Sequence, residues 1–395
     1  MDLNEESIRI LRTARLSWVD IADILGISRS KLYRFRISLE NFVDPYAITP
    51  IVDDGDRSEV CRIIKKIQNA HPGRGERILM GTLHSTHNLR IPRNLLREVI
   101  NEVDPGGRAC RMDSQYQHTL VNSRQKYSVP GPGYIWHVDT YHKLGNFGFV
   151  VFGAIDGFSH ECICLETSTN NLAMTALDAL FPKFSSYGIP KFIRGDAGGE
   201  NIAVGKFIND IRGFNSFLIG KSVNNQRIER FWKDLRQQVI TPYYDFFHKV
   251  ANDNPDLCDS PKNIWILQHM FLPRLRDEVS KFRDSWNFHK MKSINFGKML
   301  SPNAQTLLGN RNFYIPLHGN DVVLARSQEA LQSLALEYEG RPIKRSENPF
   351  PNPDVEYRFK TECPSITDND LMDNYYPKLA HAFDVANEMA ERTTI

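Results

Sequence analysis

Between residues 134 and 240 the spacing of apolar residues changes period again and again, and that order restricts the fold more than any other feature of the chain. Three short runs rich in β-branched and aromatic residues, 134–141, 148–155 and 161–167, are separated by turn residues, the pattern of an antiparallel meander. A helical period follows at 172–187, then a buried strand at 191–194, a helix at 202–211, a strand at 216–219 and a long helix from about residue 225. The order β-β-β-α-β-α-β-α predicts an α/β unit over 130–250, a mixed five-stranded sheet flanked by helices. In the last helix Ile228, Trp232, Leu235 and Val239 recur at helical spacing, a stripe that fastens the helix to the sheet.

The rest of the chain reads differently. At 395 residues, 41% hydrophobic and 24% charged, it is long enough for several folded units. The longest near-apolar run, 147–155, falls far short of a membrane span, so no membrane partner is expected. The acidic first six residues do not resemble a secretory signal, so the chain is expected to start in the cytosol. Cysteines at 61, 110, 162, 164, 258 and 363 form no Cys-x-x-Cys, so neither a disulfide framework nor a structural zinc is expected. Cys162 and Cys164 fall on one strand face by the two-residue period and read as small core residues.

Upstream, residues 5–45 predict a first helix-turn-helix. Ala22 lets two helices approach, Gly26 permits a tight turn, Ser28 caps the next helix and Leu32 packs inward. Arg29, Lys31 and Arg34 then lie on the outward surface of the second helix, where they can meet phosphates or base edges. A linker is expected at 48–56. Residues 57–125 predict a second helix-turn-helix-like unit, with helices at 58–69, 75–83 and 92–103, a turn at 84–88, and Arg90, Arg93 and Arg97 on the last helix. Residues 57–130 carry 13 Lys/Arg against 6 Asp/Glu, a basic bias suited to DNA that the overall charge of +2 conceals. Downstream, 251–310 predicts a helical extension interrupted at Pro273, and 311–395 a partly flexible region that turns acidic and proline-bearing after residue 345.

Three acidic residues stand out within the sheet unit. Asp139 lies near the end of the first strand, Asp196 follows the fourth, and Glu229 sits beside the apolar stripe of the long helix. Carboxylates converging on one point repel one another unless cations neutralise them, and hard Mg²⁺ or Mn²⁺ suits oxygen ligands. Two such ions support in-line phosphoryl transfer. Lys221, Arg227, Lys233 and Arg236 flank the site and read as phosphate contacts. Against these stand plainer roles. Glu229 can pair with Lys233 on the helix surface, Glu200 in its Gly-rich loop is expected to turn to solvent or a helix start, and Asp156 reads as a turn residue.

Few mixed-sheet domains have this order of elements, and the ribonuclease H-like fold is the best known. The phrases Trp136-His-Val-Asp139-Thr140, Gly188-Ile-Pro190 with Arg194-Gly-Asp196-Ala-Gly198-Gly-Glu-Asn201, and Lys221-Ser-Val-Asn-Asn-Gln-Arg-Ile-Glu229-Arg-Phe-Trp-Lys-Asp-Leu235 resemble the catalytic core of retroviral and transposon integrases. The helical front, together with Phe271-Leu-Pro-Arg-Leu275, Ser285-Trp-Asn-Phe-His289 and Ser301-Pro302, is similar to the integrase-core proteins of animal and fungal genomes. The resemblance implies DNA integration or transposition: nicking at element ends and strand transfer into target DNA. Asp139, Asp196 and Glu229 are then the catalytic and metal-binding residues, and the implied setting is a homo-oligomer acting on nuclear DNA. The sequence departs from retroviral integrases in a shorter Asp196–Glu229 spacing (197–228 intervene), in Ala197, and in lacking a His-His-Cys-Cys zinc front. Two other readings stay open: a domesticated, catalytically inactive DNA-binding protein, and a ribonuclease H-like nuclease.

Overall fold

The computed structural model describes residues 3–14, 16–39, 42–44, 49–50, 54–70, 74–103, 129–220, 226–253, 255, 260–317, 319–339, 348–350, 352–367 and 372–392. Its first unit is three helices, α1 (Glu5–Thr13), α2 (Trp18–Leu25) and α3 (Arg29–Ser38). Ser17 caps α2 by accepting from the Asp20 amide at 3.1 Å, and Gly26 ends it at φ 63°, the left-handed turn only glycine adopts without strain. Ser28 caps α3 through the Lys31 amide at 3.2 Å. Ala22 and Leu32 are buried, and the unit's apolar core continues into Leu300 and Ala304, far along the chain.

A second helical unit follows, made of β1 (Thr49–Pro50), α4 (Asp54–Ala70), α5 (Glu76–His87), β2 (Leu89–Arg90) and α6 (Arg93–Val103). Two expectations are corrected here. The stretch expected as a linker contains β1, which pairs in parallel with β2, and the first turn of α4, which begins four residues earlier than its apolar period. The turn expected at 84–88 is helix as far as His87, and the left-handed residue that ends it is Asn88. α5 crosses a long downstream helix at Gly81, where a Cβ would lie 2.3 Å from the Ser285 carbonyl oxygen, and Thr82 Oγ1 donates to Ser285 Oγ at 3.0 Å. The absence of a side chain at Gly81 sets how closely this unit docks.

The central sheet has β3 (Ile135–Tyr141), β4 (Val150–Asp156) and β5 (Cys162–Ser168) as an antiparallel meander. After α7 (Ala173–Tyr187) come β6 (Phe192–Gly195), α8 (Ile202–Arg212) and β7 (Phe217–Ile219), with β6 parallel to both β3 and β7. The spatial order β5-β4-β3-β6-β7, three strands antiparallel and two parallel, is the ribonuclease H-like arrangement that the element order predicts. Asp156 closes the β4–β5 turn, accepting from the amides of Phe158 and Ser159 and from that of Gly133. The two cysteines of β5 do not share a face. The register shifts between Ala154 and Ile155, and this bulge breaks the alternation, sending Cys162 into one core and Cys164 into the other.

Each face of the sheet has its own core. One lies under α7 and α8. The other lies under α9 (Gln226–Leu235), a π-helical turn over Arg236–Ile240, α10 (Thr241–Asp253) and α11 (Pro261–Phe288). Ile228, Trp232, Leu235 and Val239 are all buried there, as their spacing requires. Beyond α11 lie the short hairpin of β8 (Met291–Lys292) and β9 (Met299–Leu300), then α12 (Pro302–Leu308), α13 (Asp321–Tyr338), α14 (Pro353–Glu362) and α15 (Tyr376–Arg392). Leu334 and Tyr338 of α13 join the first core, whereas Phe359, Leu379 and Ala382 of α14 and α15 join the second. The described part of 311–395 thus includes three packed helices, whose apolar residues cover faces the sheet unit leaves bare.

Pro273 does not interrupt α11, which runs unbroken from Pro261 to Phe288. Proline takes the amide away from the carbonyl four residues back and pushes that turn open. Here the C-terminal segment fills the gap: Ser365 Oγ donates to the His269 carbonyl at 2.7 Å and the Ile366 amide to that of Met270 at 2.8 Å. Ser365→Ala is expected to cost about 1 kcal/mol of stability, read from the midpoint of urea denaturation. An unchanged midpoint would show that water serves the carbonyl equally well.

Candidate active site

The register of two strands builds the site. β3 pairs with β6 in parallel, His137 opposite Arg194, so Asp139 and Asp196, each two residues further on, continue the same row on the same face. That face is the one covered by α9, which brings Glu229 to the solvent edge of the row. Asp139 is half-buried. Burial pushes its carboxyl up to about 6, and the charges of Glu229 and Asp196 push the same way, against hydrogen bonds from Trp232 and the Thr140 amide. Both other acids therefore lie within electrostatic reach of Asp139.

Two of the carboxylates are held by neighbours. Asp196 Oδ1 accepts from the Gly198 amide at 3.0 Å and from Asn201 Nδ2 at 2.8 Å, fixing the loop that leaves β6. Asp139 Oδ2 accepts from the indole Nε1 of Trp232 at 2.7 Å. Glu229 is exposed, and no ion pair joins it to Lys233 among the described residues, whereas the neighbouring Arg230 pairs with Asp234 at 3.5 Å. Of the two places expected for Glu200 the structure takes the helix start, in the first turn of the short 3-10 helix Gly199–Asn201, and not solvent. Its carboxylate folds back over Gly198 to within 3.9 Å of His142 Nε2, because the absent side chain at Gly198 leaves room there.

The donor set suits a hard divalent cation: oxygen ligands only, with a carboxylate whose proton affinity is raised by burial and by two like charges that a cation would relieve. Among the described residues no three His, Cys, Asp or Glu side chains are drawn together tightly enough to enclose an ion.

The basic residues divide. Arg29, Lys31 and Arg34 are exposed along α3, and Lys233 and Arg236 are exposed beside Glu229. Arg93 and Arg97 are exposed but both pair with Glu76, Arg97 Nε at 3.0 Å, which offsets part of the charge they were expected to offer. Arg227 is not an outward phosphate contact. Its guanidinium meets the Nε2 of half-buried His160, whose pKa is lowered to about 3 by desolvation first and by Arg227 second. Lys221 and the side chain of Arg90 lie outside the described residues.

Residues 126–303 match the sequence model of the integrase core domain family. This chain contains an integrase core domain. A solved structure of the HTLV-2 integrase catalytic core domain in complex with magnesium (trimeric form) is similar at 16% identity, covering 43% of this chain and 94% of that one, with a TM-score of 0.27. No curated protein matches the sequence. Among the described residues no helix is long and apolar enough to cross a membrane.

Sequence reasoning passed over Trp232 and Gly153 as parts of this integrase core site. Trp232 counted only as one member of an apolar stripe, although a buried indole N–H needs an acceptor. Gly153, opposite Asp139 in the register, was a signal that could have been used, since glycine inside a strand marks a close approach.

A carboxyl whose folded pKa exceeds its unfolded value of ~3.9 stabilises the fold below that value and loses the contribution as pH rises through the folded pKa. For Asp139 the window runs upward to about pH 6. In metal-free buffer Asp139→Asn is expected to be more stable than wild type above pH 6, by on the order of 1–3 kcal/mol, with the gap closing toward pH 4. Thermal midpoints compared across that range check it, and a gap independent of pH would show that Asp139 ionises without strain.

Proposed function

We propose that the protein is a DDE-type integrase or transposase that nicks DNA at element ends and transfers the freed 3′ ends into target DNA. The observation that supports the reading is the register that puts Asp139 and Asp196 in one row of an integrase core domain, with the charge of Glu229 on α9 felt at Asp139, although the three are far apart in sequence. Integrase core domains are a polynucleotidyl transferase family and generally depend on divalent metal. In this reading Asp139, Asp196 and Glu229 would hold two Mg²⁺ or Mn²⁺ ions, which would supply Lewis-acid activation for phosphoryl transfer.

The chain's own residues do the remaining work. Asn201 and the Gly198 amide orient Asp196, and Lys233 and Arg236 meet the phosphates beside the scissile bond. α3, with Arg29, Lys31 and Arg34 exposed, is read as the recognition helix of a helix-turn-helix, and the unit built from α4 to α6 as a second DNA contact. Two ends must be held together for joining, which fits a homo-oligomer, and the substrate places the action in the nucleus.

Two experiments test this. Asp196→Asn and Glu229→Gln are each expected to lower Mg²⁺-dependent nicking and joining by at least about 100-fold while leaving DNA binding nearly unchanged, since each carboxylate supports charge in the transition state. Undiminished activity in either variant removes that residue from the site. Arg34→Ala is expected to weaken DNA binding and reduce the slope of log affinity against log salt by about 1, the share of one phosphate contact. An unchanged slope would take α3 off the DNA.

A further inference from the structure

We infer that Trp232 is a positioning residue: its indole N–H, admitted to the strand by the missing side chain at Gly153, holds one oxygen of Asp139 and sets the helix of Glu229 at a fixed distance from β3. The inference rests on the reading of this site as one that binds divalent cations.

Three observations converge on it. Packing alone needs no N–H at this position, yet the indole of Trp232 donates to Asp139 Oδ2 at 2.7 Å while its ring lies against Tyr141, centroids 5.3 Å apart. Gly153 sits opposite Asp139 in an interior strand without a positive φ, so backbone conformation does not require it. Close approach does: a Cβ there would stand 2.5 Å from Cη2 of Trp232. Finally, Trp232 follows Glu229 by three residues, so the two project from adjoining positions of one helix, and anchoring one places the other. A hydrogen bond to an ionised acceptor is the stronger kind and fixes the carboxylate's rotation as well as its charge.

The test uses the full-length chain. Mn²⁺ is titrated into wild type and Trp232→Phe by calorimetry without DNA, and plasmid nicking is measured at limiting and saturating Mn²⁺. Trp232→Phe keeps a ring over Gly153 and loses the N–H. It is expected to bind Mn²⁺ roughly 10-fold more weakly, the usual scale for removing a partner that orients a ligand. Its kcat should fall at limiting Mn²⁺ with KM for DNA unchanged, and excess Mn²⁺ should restore kcat, which a loss of packing alone would not allow. Equal Mn²⁺ affinity in the two proteins overturns the positioning role and leaves the site standing. A wild type that takes up no Mn²⁺ overturns the reading of the site and the positioning role with it. Should Trp232→Phe not fold, Gly153→Ala, which crowds the indole away from Asp139, is measured in its place. The same weakening supports the role, and wild-type affinity overturns it.

Discussion

An acidic side chain on the central strand of a packed sheet is the constraint around which this protein is arranged. Asp139 is flanked on one side by β4 and on the other by β6, and its ionisation is opposed by burial and by two further acids. Such a group persists only where donors and counter-charges answer it. The indole of Trp232 is one donor. The arrangement stores electrostatic tension at the place where a cation would release it, at the expense of stability in the metal-free chain.

The remainder of the chain is built to hold that row steady. The helix carrying Glu229 and Trp232 continues through a π turn into α10 and packs beneath α11, the longest element described. α11 in turn ties three regions together. The second helical unit docks on it at Gly81, the Asn287 side chain bonds both the amide and the carbonyl of Cys162, and the C-terminal segment answers the carbonyls left open by Pro273. The N-terminal helices share their core with Leu300 and Ala304, just past the end of α11. The helices proposed to hold DNA and the carboxylates proposed to cut it are thus connected through α11 and the segment that follows it, each unit keeping an apolar core of its own.

Much of this was legible in the sequence. The change of period after residue 133 gave five strands and their helices in order, since alternation and helical spacing are local properties. The acids could be singled out because their positions relative to those elements follow from the same periods. What failed were local rules applied where distant residues intervene. Pro273 reads as a break, but Ser365 lies 92 positions away in sequence and directly beside it in space. Cys162 and Cys164 read as one face until a bulge, invisible in composition, separates them.

Arg227 makes the same point for the site. Its charge and its place near Glu229 suggested an outward phosphate contact, yet the partner it meets, His160, comes from a turn two strands away. The sequence by itself determined which elements form, which faces are apolar and which acids are available, because spacing along a chain dictates where side chains point on one helix or strand. Tertiary structure alone decided which groups meet across elements: the indole on the carboxylate, the glutamate beneath two arginines, the serine on an orphaned carbonyl. Those pairings depend on register and crossing distance between segments, and no local period encodes either.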